Sequence, residues 1–237
     1  MLHFKRDKKR VGLILSIVYR FFKLGIWGKK QKMKLLLDLE WMFNRMSLEQ
    51  AYELYSLKEN PMKKESLKFL LPKIDSSFKV LDLGCKRGEL AYEVSKVAKE
   101  VVGVDHNASC ISDARKMHQA ENLSFVNDDA IHFLEEKDHQ FDLLVMSHIL
   151  EHIDDPSDLL KRFKKYFKYI FVEIPDFHAN YLNLFRKDAG VELLYTDRDH
   201  IWEFDREGIQ KIFEKEGLDV VHSEFRFGVQ KYFLKLR

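Results

Sequence analysis

Apolar and polar positions change period repeatedly along the chain, and the change is sharpest over residues 79–105. Val80-Leu81-Asp82-Leu83 is short and nearly all apolar, the pattern of a buried parallel strand. Gly84 and Gly88 bracket a turn. Leu90, Ala91, Val94, Val97 and Ala98 then recur at helical spacing, with Glu93, Lys96 and Lys99 on the other face. A second apolar run, 101–104, ends in Asp105, 17 residues beyond Gly88. The order predicts a β-turn-α-β unit, with one helix face in the core and the other in water.

The alternation continues. Residues 108–119 read as a helix, 123–127 as a strand, 130–136 as a short helix and 141–147 as a strong strand. Asp155-Pro156 starts a helix over 157–168, and 169–174 is a fifth strand. Strand and helix in turn predict a doubly wound, mainly parallel α/β sheet with right-handed crossovers, and ligands then belong at the carboxyl ends of its strands. The tail differs: Asp205 caps a helix over 206–216 that stops at Gly217. Runs 218–225 and 229–236 follow around Arg226-Phe227-Gly228, an antiparallel hairpin completing a seven-stranded sheet.

Upstream of the first strand the pattern is helical. Residues 35–46 form one helix, and Ser47 with Gln50 forms a capping box that starts another. Pro61 begins a third, with Leu67, Leu70 and Leu71 inward, and Pro72 ends it. The segment 35–75 is read as a helical cap over the strand ends, and Tyr52 and Tyr55 are either lid residues or a packed aromatic pair. Three regions result: an arm (1–34), the cap (35–75) and the α/β domain (76–237).

Composition adds one feature to this picture. The chain of 237 residues has a net charge of only +2, yet residues 1–34 hold eleven Lys or Arg against the single acid Asp7, and the remainder carries −8. A polyanion suits the arm and a smaller or neutral substrate the body. The apolar window 11–28 is interrupted by Arg20 and Lys23, too much for a bilayer span, and no small-x-small cleavage site follows it. On a helix, Ser16, Arg20, Lys23 and Trp27 form a narrow cationic stripe flanked by Leu13, Ile14, Ile17, Val18, Phe21 and Phe22. That pattern suits an anionic lipid interface. A helix packed on its own domain or on a dimer partner is the alternative. Nucleic acid is disfavoured, because stacking aromatics are not interleaved with the bases. Two cysteines, Cys85 and Cys110, lack metal or disulfide spacing and suit a reducing compartment. The expected location is the cytoplasm, peripheral on the inner face of a membrane.

The glycine loop selects among nucleotides. A dinucleotide site needs glycines where Lys86 and Glu89 stand, and no G-K-[ST] follows Gly88, so NAD and a P-loop are both set aside. A carboxylate ending the second strand can take both hydroxyls of a ribose. VLDLGCKRGEL (80–90), VVGVDHN (101–107), FVNDDA (125–130) and FDLLVMSHILEHIDDP (141–156) together resemble the class I S-adenosylmethionine-dependent methyltransferase family, in its motif order and spacing over about residues 65–237. The resemblance implies a Rossmann-like methyltransferase fold, S-adenosylmethionine as cofactor and no resident metal. It also implies that Gly84, Cys85 and Gly88 pass the methionine part and that Asp82 lies near its amino group. Asp105 with His106 would hold the ribose, Asp129 with Ala130 would border adenine, and Ser147 with His148 would lie beside the methionine end. Carboxylates suit a ligand bearing a sulfonium and an ammonium but no phosphate. Lys86 departs from the family's glycine: pointing to solvent it is tolerated, and folded inward it repels a sulfonium.

Methyl transfer is an in-line displacement, so the protein aligns a nucleophile and removes its proton. His148, His152 and His200 are the base candidates, each with a structural role as the alternative. The pair Asp154-Asp155 reads as a helix cap. The H-x-x-E-H run 148–152 also matches a zinc-hydrolase pattern, although Pro156 leaves little room for the helix it needs. The fifth strand ends EIPD (173–176), against methylation of nucleic-acid bases. GCKRGEL (84–90) together with TDRDHIWEFD (196–205) resembles bacterial methyltransferases associated with glycans, lipids or other small molecules, and with the basic arm this resemblance implies transfer to an oxygen of a small-molecule, glycan or lipid-linked acceptor at a membrane surface. A methyltransferase-like fold without catalysis, tethered to a membrane as an interaction protein, stands beside it on account of Lys86.

Overall fold

Apolar runs pair into one seven-stranded sheet in the computed structural model, which describes residues 12–55, 59–136, 141–191 and 199–237. Strands β1 (Lys79–Leu83), β2 (Glu100–Asp105), β3 (Leu123–Asn127), β4 (Leu143–Ser147) and β5 (Tyr169–Pro175) are parallel. β6 (Leu218–Arg226) and β7 (Val229–Leu236) form the antiparallel hairpin, and β7 lies against β5. The order is β3-β2-β1-β4-β5-β7-β6. Chain direction of winding reverses between β1 and β4, which opens the ligand crevice at their carboxyl ends.

Helices α1 (Leu13–Lys23), α2 (Lys29–Leu54) and α3 (Pro61–Leu70) precede the sheet, and α4 (Glu89–Ser95), α5 (Ala108–Met117) and α6 (Ala130–Glu136) are threaded between its first strands. α7 (Pro156–Phe163), α8 (Leu182–Ala189) and α9 (Arg206–Lys215) complete the described set. One sheet face sets Leu81, Met146 and Val172 against Leu159 and Phe163 of α7 and Ile209 and Phe213 of α9. The opposite face sets Val80, Val145, Phe171 and Phe233 against Leu70 of α3, Val94 of α4 and Ile111 of α5. Strand alternation fixes this division, and each such side chain contributes about 1.5–3 kcal/mol on burial.

Two readings are corrected by packing. Ser47 caps nothing: α2 runs unbroken from Gly28 to Tyr55, because no glycine or proline interrupts it, and Ser47 Oγ donates back to the Phe43 carbonyl at 2.8 Å. α2 therefore also crosses the boundary drawn at residue 35. Val97 is 36% exposed, since α4 stops at Ser95 and the Val97 N–H turns back to the Val94 carbonyl at 3.0 Å. Asp155 and Asp205 do cap α7 and α9, accepting from the Asp158 and Gly208 N–H groups at 2.9 and 2.6 Å. No helix among the described residues is long and apolar enough to cross a membrane.

Candidate active site

The glycine turn is built on left-handed backbone. Gly84 has φ +71° and Gly88 φ +79°, and between them Lys86 holds φ +51° despite its Cβ, at a cost of about 1–2 kcal/mol. A Cβ on Gly84 would stand 2.2 Å from Ile149 Cδ1, and one on Gly88 2.4 Å from the Phe125 ring. The Lys86 side chain is exposed, so it is the solvent-facing alternative that the structure displays. Its N–H donates to Asp105 Oδ2 at 2.9 Å, while Asp105 Oδ1 accepts the Asn107 N–H at 2.8 Å. Asp105, 6% exposed, thus ties the turn after β1 to the turn after β2.

The remaining cofactor candidates divide. The Cys85 thiol is buried in the core under the turn, which pushes its pKa up. The His106 side chain is 84% exposed. Asp129 caps α6, with Oδ1 accepting the Ile131 and His132 N–H groups at 2.9 and 3.1 Å, and Ala130 begins that helix. Both flank the end of the crevice where β2 and β3 finish.

A row of polar groups crosses the sheet on the α3–α4 face. Ser147 pairs in register with Glu173, and Glu173 with Lys231 of β7. Ser147 Oγ donates to Glu173 Oε1 at 3.1 Å. Lys231, 1% exposed, donates to Glu224 Oε1 at 2.9 Å and to the Glu65 carbonyl of α3 at 3.2 Å. His148 stands above this row with φ +57°, its N–H on the Glu173 carbonyl at 2.8 Å. Its Nδ1 lies 3.0 Å from Glu151 Oε1 and its Nε2 3.6 Å from Glu173 Oε1. Both carboxylates are buried. Tyr52 of α2, Lys63 of α3 and Phe227 of the hairpin line a small cavity with His148 and Glu173.

Four buried carboxylate oxygens lack a hydrogen-bond partner among the described residues: Asp82 Oδ2, Glu89 Oε1, Glu151 Oε2 and Glu173 Oε2. Unsatisfied buried acids are costly, and a proton, a water or a cation would each relieve them. Asp82 is the extreme case: burial, reinforced by Glu89 and Asp105 and opposed by Lys63 and the Ala91 N–H, raises its pKa from 3.8 to about 7. The raised folded value means that the ligand-free protein loses stability as pH rises from about 4 through about 7. A sulfonium or ammonium beside Asp82 favours its charged form. S-adenosylmethionine binding is therefore expected to release a proton below about pH 7 and to tighten as pH rises towards that value. Titration calorimetry in two buffers of different ionisation enthalpy reads the proton. Asp82→Asn should abolish both the proton release and the pH-dependent loss of stability, and a pH-independent affinity in the parent would refute the assignment.

The other histidines meet elsewhere. His152 Nδ1 lies 3.0 Å from the Asp199 carbonyl, and His200 Nδ1 3.2 Å from Glu203 Oε1. The two rings stand edge to face with centroids 4.8 Å apart. The Ile201 and Trp202 N–H groups donate to the Glu151 carbonyl at 2.8 and 3.1 Å, zipping this segment onto the loop after β4. One donor atom each of Glu151, His152 and His200 lies within 4.8 Å of the others, a set of a kind that can hold a divalent cation. The sequence reading missed this set because its members are 48 and 49 positions apart; the His-x-x-Glu-His run was the available signal. That run forms a single 3-10 turn, Leu150–His152, rather than the helix a zinc-hydrolase motif requires. Residues 194–198 of the His200 segment, and 1–11 of the arm with five of its bases, lie outside the described residues.

A doubly wound sheet with an acid-ended β2, a glycine turn after β1 and an acidic crevice is an arrangement that suits a cationic nucleoside ligand at the strands' carboxyl ends. Residues 50–223 match the family described as methyltransferase domain. The chain belongs to the class I S-adenosylmethionine-dependent methyltransferase family, and S-adenosylmethionine is the cofactor. Among curated relatives it is similar to a ubiquinone biosynthesis O-methyltransferase from Proteus mirabilis, 29% identical over 114 residues that make up 46% of this chain and 45% of that one. A protein of the same name from Aliivibrio fischeri is 32% identical over 46% of this chain and 47% of its own length. The chain thus spans less than half the length of these relatives. In fold it resembles a SAM-dependent methyltransferase from Archaeoglobus fulgidus (TM-score 0.60, 22% identity, 73% of this chain and 93% of that one). It also resembles magnesium protoporphyrin IX methyltransferase from Synechocystis with bound SAH (TM-score 0.55, 14% identity, 94% of each chain).

Proposed function

We propose that the protein transfers the methyl group of S-adenosylmethionine to an oxygen of a small-molecule, glycan or lipid-linked acceptor at a membrane surface. The observation that carries this reading is His148 between two buried carboxylates at the end of β4. With Nδ1–H directed to Glu151, Nε2 is the nitrogen that takes a hydroxyl proton. The imidazolium so formed lies between Glu151 and Glu173, which stabilise it as charge develops. The hydroxyl oxygen forms its bond to the methyl carbon while the carbon–sulfur bond breaks, and the electron pair leaves with the neutral thioether. The names of the curated relatives support oxygen as nucleophile.

Calorimetry with S-adenosylmethionine, followed by transfer of a labelled methyl to a panel of hydroxylated aromatic, sugar and prenyl-lipid acceptors, tests the reading. Micromolar binding and turnover of a hydroxyl acceptor are expected. Absence of binding would point instead to a fold that has lost catalysis.

A further inference from the structure

Helix α8 is built inside out. Its buried residues are Asn183 and Arg186, whereas Leu184 and Phe185 are 62% and 48% exposed and Tyr181, just before it, 71%. A helix resting on a protein core shows the reverse arrangement. The polar face is used as a clamp. Arg186 donates to Asn183 Oδ1 at 2.8 Å and, towards α2, to the Leu37 carbonyl at 3.4 Å and to Glu40, with which it forms an ion pair. Lys34 of α2 adds a bond from Nζ to the Gly190 carbonyl at 3.1 Å.

α1 is the second outward apolar face, and none of its residues is buried. Leu13 and Ile14 are each 77% exposed and Ile17 58%. Trp27 folds back on Phe21 and Phe22 with ring centroids 5.3 and 5.7 Å away, and Lys32 Nζ donates to the Phe22 carbonyl at 3.0 Å. α1 is thereby fixed to the start of α2, and the next turns of α2 are fixed to α8. Both apolar faces are mounted on one frame.

Charge selects what covers them. Residues 12–34 contain six Lys or Arg and no acid. A second copy meeting this arm face to face would bring like charges together, and a neutral apolar partner would leave them unmatched. An anionic lipid surface satisfies both the apolar area and the charge.

We propose that α8 and α1 together seat the protein on an anionic bilayer. α8 follows the carboxyl end of β5, the end at which His148 lies, so the seated face adjoins the rim of the crevice. That the seating delivers a lipid-linked acceptor rests on the function proposed above; the seating itself does not.

Flotation of the full chain with phosphatidylcholine vesicles, and with vesicles in which part of it is replaced by phosphatidylglycerol, tests the proposal. Binding is expected to the mixed vesicles and to fall as salt rises. The double variant Leu184→Glu with Phe185→Glu, and separately Ile14→Glu with Ile17→Glu, should each lower partitioning by roughly 10- to 100-fold. All four residues are exposed, so circular dichroism, thermal midpoint and S-adenosylmethionine affinity should hold. Parent-like flotation of the α8 variant, equal binding to neutral vesicles, or a parent dimer that the α8 variant converts to monomer would overturn the proposal, the last by showing a second copy on this face. Flotation with no S-adenosylmethionine binding would leave the seating standing and remove the function.

Discussion

His148→Ala is expected to lower the rate of methyl transfer by about 10²–10⁴-fold, the range for loss of a positioned general base. Alanine keeps the Cβ and therefore the strain of φ +57°, so the substitution removes the imidazole without relaxing the turn. It also leaves Glu151 and Glu173, the acids facing the ring, in place. S-adenosylmethionine affinity should then change by no more than a few-fold. Single-turnover transfer of a labelled methyl, read beside calorimetry, separates the two effects. An unchanged rate, or an affinity that falls as much as the rate, would remove His148 as base. Glu151→Gln and Glu173→Gln test its surroundings: each should slow transfer less than loss of the ring itself.

Gly88→Ala is expected to be among the most destabilising single changes in the chain. The new Cβ must sit at φ +79°, 2.4 Å from the Phe125 ring and 3.1 Å from Ala114 Cβ. Left-handed backbone for an L-residue costs about 1–2 kcal/mol and overpacking a core about 1–3 kcal/mol more. For a chain of this size the thermal midpoint should drop by about 5–15 °C. Phe125→Leu in the same background should recover part of the loss, because it shortens the side chain that the new Cβ strikes. A midpoint within a degree of the parent would show that the turn relaxes freely.

The sequence showed the β-turn-α-β unit, the parallel sheet and its hairpin because each rests on local period: buried runs such as 80–83 and 143–147, and glycines where the chain must turn. It showed the acids of the crevice only one at a time. The Ser147–Glu173–Lys231 row depends on the register of three strands that are far apart in sequence, and a glutamate inside YIFVEI gives no local sign that it will face a buried lysine. The meeting of His152 with His200 depends on Trp202, whose Nε1 donates to the Ile153 and Asp154 carbonyls at 3.0 and 3.2 Å and anchors the later segment. α8 was illegible for a different reason. No element is read over 182–189: its apolar residues point outward and its arginine inward, so no apolar face marks the side that packs on the protein.

The two hydrogen bonds that Asp105 accepts from the Lys86 and Asn107 N–H groups hold the glycine turn through protein contacts alone. Beside it, the space against Gly84 is held by the tip of Ile149. A ligand running along Gly84 thus meets one rotatable side chain there. Rotamer changes take picoseconds to nanoseconds, whereas loop closure takes nanoseconds to microseconds or longer. The residence time of the cofactor is then set by how well the acids of the crevice hold a positive charge.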